Sequence, residues 1–271
     1  MQTSVNIRAL YKPVQPSAAH AGAPVHYQEL LPDSLLLDYI YCYWELKTTS
    51  SLESALQYRV VADGCIDIFF DINNTSDSSI MGFCKTHTQF PLDGRFHYVG
   101  IRFLPTIFPQ LFRVNAAALS GRVEQLDAIT PPLAAFIRSR VHGALGMVGI
   151  QQLLDNYFVK MLIKAPVQTD NRLNEAMAII LKSCGMLHTG KHLDTGVSPR
   201  QLRRLFELYI GDTPKVFSKI VRFQHALRLA SSASNLRTDK PFFNCGYYDQ
   251  AHFIKDFKQM YGATPSQAFR K

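Results

Sequence analysis

Three guanidinium side chains, Arg200, Arg203 and Arg204, follow Ser198-Pro199 at a spacing that puts them on one face of a helix. On a wheel of about 100° per residue, Glu207 joins them, while Leu202, Leu205, Phe206 and Tyr209 gather opposite as an apolar stripe. Fifty-one residues further on the arrangement returns. There Phe253, Ile254, Phe257 and Met260 form the stripe, and Ala251, His252, Lys255, Lys258 and Gln259 the other face, with Gln250 at the helix start. An arginine fork can hold guanine O6 and N7 together, glutamine can pair with adenine, and an alanine methyl can touch a thymine methyl. Two such faces suit insertion into the major groove of duplex DNA.

Other chemistries have thinner support. Cys84 and His87, with Cys65 and His97 nearby in sequence, form the one metal-like grouping, but a zinc site needs three or four converging ligands, and no metal or other cofactor is expected. Asp63, Asp67 and Asp71 recur every four residues across a turn and a strand, a pattern that a charged turn and a buried strand explain without paired-carboxylate catalysis. No GxSxG, P-loop or HExxH pattern is present, and no catalytic residue is assigned. Five cysteines, an odd number without a CxxC pair, indicate neither a disulfide framework nor a four-thiolate site. The single tryptophan, Trp44, lies in the run Tyr39 to Trp44 and reads as a core or interface residue, with ligand stacking as the alternative. His188 and His192 read as packing or solvent-facing residues.

The elements that must carry the two faces are legible from their caps. The first copy reads Ser198-x3-Leu202-x-Arg204-x-Phe206-x4-Gly211-x-Thr213-Pro214, and the second Asp249-x3-Phe253-x-Lys255-x-Phe257-x4-Gly262-x-Thr264-Pro265. Each opens on an N-cap residue, runs for about three helical turns to a glycine, and restarts at Thr-Pro. A connecting helix is expected from about Thr213 to Ser231, some 28 Å at about 1.5 Å per residue, close to the roughly 34 Å between successive major grooves. Lys215, near the start of that helix, is placed to touch a phosphate beside the free backbone amides.

Charge follows the same division. Residues 1–169 hold 13 Lys+Arg and 13 Asp+Glu, so the whole net charge of +8 falls in residues 170–271, the mark of a polyanion partner. The boundary is drawn at the polar break Ala165 to Asp170, giving a unit over 1–169 and another over 170–271. In the first, residues 1–30 read as an extended arm. Tyr58–Val61, Cys65–Phe70, Ile80–Phe83 and Tyr98–Phe103 read as strands, with turns at Ala62–Gly64, Asn73–Ser79 and Leu92–Gly94. Residues 107–119 and 132–164, within a region from about 105 to 164, read as trailing helices. The fold class is therefore α+β: a small β-barrel or sandwich with trailing helices, plus an all-α second unit. No apolar run approaches a membrane span, and the N-terminus lacks the basic and apolar regions of a secretion signal, so a cytoplasmic protein is expected.

Residues 170–271 resemble the AraC/XylS-type DNA-binding domain, two helix-turn-helix units joined by a long helix. The blocks that carry the resemblance are Gly196 to Phe206, Gly211 to Pro214, Gly246 to Phe253 and Gly262 to Ser266, in family order and spacing. The resemblance implies base contacts at Arg200, Arg203, Arg204, Gln250, Ala251, His252 and Lys255. It also marks two departures: Lys191-His192 replaces the usual Leu-Ala of the first supporting helix, and Pro241-Phe242-Phe243 interrupts the second. Val61 to Ile68 and Val99 to Pro105 resemble the sensor-like domain of one AraC-type subgroup, which implies a cupin-like β fold used for effector binding or self-association. The function implied is that of a transcription regulator, not an enzyme. Its expected partners are duplex DNA, a small-molecule effector, RNA polymerase and a second copy of the chain, with no membrane. Two alternatives stand beside it: a metal-bearing cupin-like enzyme with a DNA-binding tail, and an N-terminal half that only dimerises.

Overall fold

The computed structural model describes residues 6–16, 24–167, 170–187, 193–232 and 245–269. The fold is α+β. Among the described residues seven strands come first, β1 (Val25–Leu30), β2 (Ile40–Thr48), β3 (Leu56–Val60), β4 (Ile66–Asp71), β5 (Asn74–Met81), β6 (Thr88–Leu92) and β7 (His97–Phe103), and an eighth, β8 (Val123–Gln125), follows two short helices. A one-turn helix, α1 (Ile7–Leu10), precedes them. Six strands form one antiparallel sheet in the order β1-β2-β7-β4-β5-β8, and β3 pairs with β6 in a second.

The period of two along each central strand divides the residues between two environments. Val99, Ile101 and Phe103 of β7, Ile66, Ile68 and Phe70 of β4 and Tyr43 of β2 point into a core shared with the trailing helices. Those helices are α2 (Ile107–Phe112), α3 (Ala116–Leu119), α4 (Leu126–Ile129), α5 (Pro131–Arg140) and α6 (Gly146–Lys164), which contribute Phe108, Leu133, Ile137, Ile150, Leu154 and Phe158. The alternate residues Tyr98, Arg102, Asp67, Phe69 and Trp44 line a cavity between the six-stranded sheet and the β3–β6 pair. Gly100 of β7 stands opposite Trp44 of β2, and a Cβ on it would lie 2.0 Å from the indole. The missing side chain is what lets that ring lie across the sheet.

The C-terminal part is helical: α7 (Asn171–Lys182), α8 (Pro199–Tyr209), α9 (Pro214–Ser232), α10 (Gln250–Tyr261) and α11 (Pro265–Ala268). Its core is not its own. Leu173, Met177, Ile180, Leu202, Phe206, Phe217, Phe223, Phe257 and Met260 form one buried cluster with Tyr11, Val61, Ala62, Cys65 and Phe83 from the first half. The backbone joins it: Ala62 N donates to Met260 O at 3.2 Å, and His87 N to Gln259 O at 3.3 Å. Gly262 ends α10 in the left-handed region (φ 88°), where a Cβ would also meet the His87 ring at 2.5 Å.

Several sequence expectations need correcting. Asn73–Ser79 is mostly strand, since Asn74–Met81 pairs with β4, and its polar residues occupy a strand paired on its far side only with the three residues of β8. The supposed arm contains α1 and the edge strand β1, which pairs along its whole length with β2. The helix expected through 132–164 is two helices, broken at 141–145, and residues 113–115 interrupt the one expected through 107–119. His188, Lys191, His192 and Pro241-Phe242-Phe243 lie outside the described residues.

Gly100→Ala is expected to destabilise the protein by about 1–3 kcal/mol, the usual cost of forcing an extra carbon into a packed interior. Chemical denaturation followed by Trp44 fluorescence measures it directly, because the displaced ring is the only indole in the chain.

Candidate nucleic-acid interface

Helix α8 begins with a reciprocal cap. Ser198 Oγ accepts from Gln201 N at 3.3 Å, and Gln201 Oε1 accepts from Ser198 N at 3.1 Å, with Pro199 in the first turn. Leu202 and Phe206 are buried in the shared core, which fixes the rotation of the helix and leaves Arg200, Arg203 and Arg204 exposed. Arg203 Nε donates to Glu207 Oε1 at 2.8 Å, one turn along. The neighbouring carboxylate raises the pKa of Arg203, so this guanidinium stays charged but is tethered. Arg204 faces a groove between α8 and the turn that starts α3, lined also by Asn115, Ala117, Leu205 and Leu208. Arg200 lies near the N-terminal end of the helix, away from that groove's wall.

Helix α9 starts at Pro214, with Thr213 Oγ1 accepting from Val216 N at 3.3 Å, and Lys215 is exposed at its second position. Helix α10 starts behind Asp249, whose carboxylate accepts from His252 N at 2.7 Å. Phe253, Phe257 and Met260 are buried, while Gln250, Ala251 and Lys255 are exposed. His252 is only half-exposed. Its Nε2 lies 3.3 Å from Asp256 Oδ2, which Arg222 Nη2 of α9 also approaches at 3.5 Å, while Lys219 Nζ of α9 lies 3.7 Å from Oδ1 of the same carboxylate. Arg222 in turn stacks over Tyr247, 4.4 Å from the ring centroid, and Nη1 donates to Gly246 O at 3.4 Å.

Asp256 thus pins α10 to α9, and sequence reasoning missed it. The signal was present: a carboxylate between Phe253 and Phe257 on an apolar stripe must be buried with a partner. The caps and the exposed arginines were legible. The groove beside Arg204 was not, because Asn115 and Ala117 are far away in sequence.

The N-terminal half reaches the same helices through residues 11–16. Gln224 of α9 accepts from Val14 N at 2.8 Å and donates to Val14 O and to Ala62 O, and Arg228 donates to Lys12 O at 2.6 Å. Cys84 and His87 turn to other partners. Cys84 Sγ lies 3.3 Å from Gly82 O, burial pushes its thiol up to about 11, and His87 Nδ1 lies 3.1 Å from Gln259 O. Among the described residues no three His, Cys, Asp or Glu side chains are grouped to hold a metal ion, and no helix is long and apolar enough to cross a membrane.

Two capped helices with arginine, glutamine and lysine on their open faces, joined through one long helix, match a known pattern: residues 194–271 fit a family described as a helix-turn-helix domain. They form an AraC-type helix-turn-helix domain. Residues 28–125 fit a family described as a domain of unknown function, DUF6597. An uncharacterized HTH-type transcriptional regulator of Haemophilus influenzae is 25% identical over 192 residues, which is 66% of this chain; the chain spans 61% of that relative's length. Among solved structures, ToxT from Vibrio cholerae O395 is similar at 14% identity and a TM-score of 0.37, over 90% of this chain and 95% of that one. Unsaturated fatty acid bound ToxT from Vibrio cholerae strain SCE256 is similar at 14% identity and a TM-score of 0.36, over 90% and 93%.

Removing the carboxylate of Asp256 leaves Arg222, whose side chain is 14% exposed, without its counter-ion. Asp256→Ala should cost about 3 kcal/mol, the low end for a broken buried pair because Lys219 and His252 are more than a third exposed. Urea unfolding of the variant against the parent gives the number, and a loss below about 1 kcal/mol means that α10 is held by its apolar face alone.

Proposed function

We propose that this chain is a transcription regulator that grips duplex DNA with the open faces of α8 and α10, set in two adjacent major grooves, and that its N-terminal half modulates the grip. The observation that carries the reading is the shared design of the two helices. Each buries one stripe, offers the other face to solvent, and is reached from α9. Arg200, Arg203 and Arg204 are assigned to base edges in the first groove, and Gln250, Ala251, His252 and Lys255 to the second. Lys215 is assigned to phosphate at the start of α9. The net charge of +8, all of it in residues 170–271, supplies the attraction to the polyanion.

The remaining partners follow from the same reading: a small-molecule effector bound by the N-terminal half, a second copy of the chain, and RNA polymerase once the protein is seated on a promoter. The role is regulatory and non-enzymatic. Two features support a route between the halves. The buried cluster draws on both, and Gln224 bonds at once to the N-terminal segment and to the turn after β3.

Two results are expected. Duplex binding by the whole chain should weaken steeply as salt rises, and Lys215→Ala should lower affinity on all sequences alike while flattening the salt slope by about one unit. Fluorescence anisotropy at several salt concentrations reads both effects, and absence of binding even at low ionic strength would falsify the reading.

On a selected site, Arg203→Ala with Arg204→Ala should lose more affinity than Gln250→Ala with Lys255→Ala. A good bidentate arginine contact contributes about 1–3 kcal/mol, and α10 has His252 drawn toward Asp256. Selection from a random duplex library followed by titration on the winning site ranks the pairs. The reverse ranking makes α10 the principal reader.

A further inference from the structure

The C-terminal ends of α8 and α10 meet the same short turn of the N-terminal half. That turn runs from Gly82 to His87, between β5 and β6. On the α8 side, Lys85 Nζ lies 2.5 Å from Oδ2 of Asp212, in the turn between α8 and α9. The Asp212 side chain is only 10% exposed and also accepts from Thr213 N at 2.7 Å. Beside it the backbone of Gly211 comes so near that a Cβ there would lie 3.1 Å from Phe83 Cβ and from Ala116 O.

On the α10 side the N-terminal half supplies what the helix lacks. The last four carbonyls of a helix have no partner within it. Here Gln259 O lies 3.3 Å from His87 N and 3.1 Å from His87 Nδ1, and Met260 O accepts from Ala62 N, just past the end of β3. The His87 ring packs on Gly262, and the Arg59 guanidinium of β3 stands 5.4 Å from the centroid of the Tyr261 ring. Two of the orphan carbonyls of α10 are thus closed by the other half of the chain.

Lys85 and His87 are two residues apart, a backbone span of at most about 7 Å. The turn that carries them is braced: Gly82 N donates to Arg122 O at 3.0 Å, Gly121 N donates to Phe83 O at 2.8 Å, and Thr88 pairs with Val60 across the β3–β6 sheet. The ends of α8 and α10 are therefore referred to one rigid support, besides their links through α9. Such a support matters to a chain that reads two grooves at once. One base pair added between two half-sites moves the second by about 3.4 Å along the duplex and turns it by about 35°. Helices free to shift against each other follow that displacement, and helices tied to one support do not.

We propose that Lys85 and His87 are positioning residues that fix α8 and α10 relative to each other, and that they thereby set the half-site spacing that one chain accepts. The proposal rests on the reading above in which both helices enter DNA, and it adds the residues that make the pair of readers rigid. Both act through the helix ends, without touching DNA themselves.

The first measurement needs no DNA. In the full-length protein, p-acetylphenylalanine at positions 208 and 258, exposed on α8 and α10, takes a ketone-reactive spin label that spares the five cysteines, and pulsed electron paramagnetic resonance reads the distance between the labels. The parent should give one narrow distribution. Lys85→Glu sets a second carboxylate against the weakly screened Asp212 and should broaden the distribution about twofold. Lys85→Glu with Asp212→Asn, whose amide can donate to the new carboxylate, should restore it. His87→Ala, which removes the Nδ1 contact and the ring on Gly262, should broaden it from the α10 side and carries the test if Lys85→Glu does not fold. The second measurement uses the duplex that the parent selects from a random library. One base pair added between its half-sites should weaken the parent at least tenfold and Lys85→Glu less than threefold, while a duplex with the second half-site scrambled should bind both alike. A parental distance distribution in both variants, or an equal loss of affinity on every duplex, overturns the proposal. If the parent binds no duplex, the two-groove reading and the spacing claim fall together; if it binds and the variants keep its spacing preference, only the positioning residues fall.

Discussion

The structure depends on one shared apolar cluster. Tyr11, Val61, Ala62, Cys65 and Phe83 come from the β-rich half, while Phe206, Phe217, Phe257 and Met260 come from the helical half, and neither set closes a core without the other. Apolar burial is the largest favourable contribution to folding, and it is not directional. The backbone bonds from Ala62 to Met260 and from His87 to Gln259, with the three bonds of Gln224, supply the direction that burial lacks. Together they hold α8, α9 and α10 against the sheet in one orientation.

From that constraint the exposed faces follow. Leu202 and Phe206 fix the rotation of α8, and Phe253, Phe257 and Met260 fix that of α10, so the residues left outside are set by what had to go inside. The same rule operates in the β-rich half. Val99, Ile101 and Phe103 are committed to the helical core, so Tyr98, Gly100 and Arg102 must face the cavity. Arg102 is then buried by register, and Asp67 on the neighbouring strand, directly across from it, is its compensation.

How much of this was readable in the sequence depended on the range of the interaction that specified it. The caps at Ser198 and Asp249 act within three residues, and the connecting helix ends at Ser232, within a residue of its expected end. Asn73–Ser79 was read as a turn because its composition is that of a turn, and only pairing with β4 makes most of it strand. The edge strand β1 was hidden in the same way, its partner β2 lying beyond a loop. The cluster around Arg102 joins residues from 29 to 102, and no local pattern announces it, although an arginine alternating with Val99, Ile101 and Phe103 in a strand already required a buried counter-ion. Asp256 was legible in the same sense, as a charge within an apolar stripe.

The two helices differ in how freely they can change over evolutionary time. Arg200 and Arg204 are exposed and make no ion pair or side-chain hydrogen bond among the described residues, so exchange at these positions breaks no such bond, and under the proposed function selection there acts on site preference. His252 belongs to the cluster that anchors its own helix, so under the proposed function exchange there alters preference and stability together. Under the proposed function, divergent copies of this protein would therefore change sites first through α8, while α10 held the older preference.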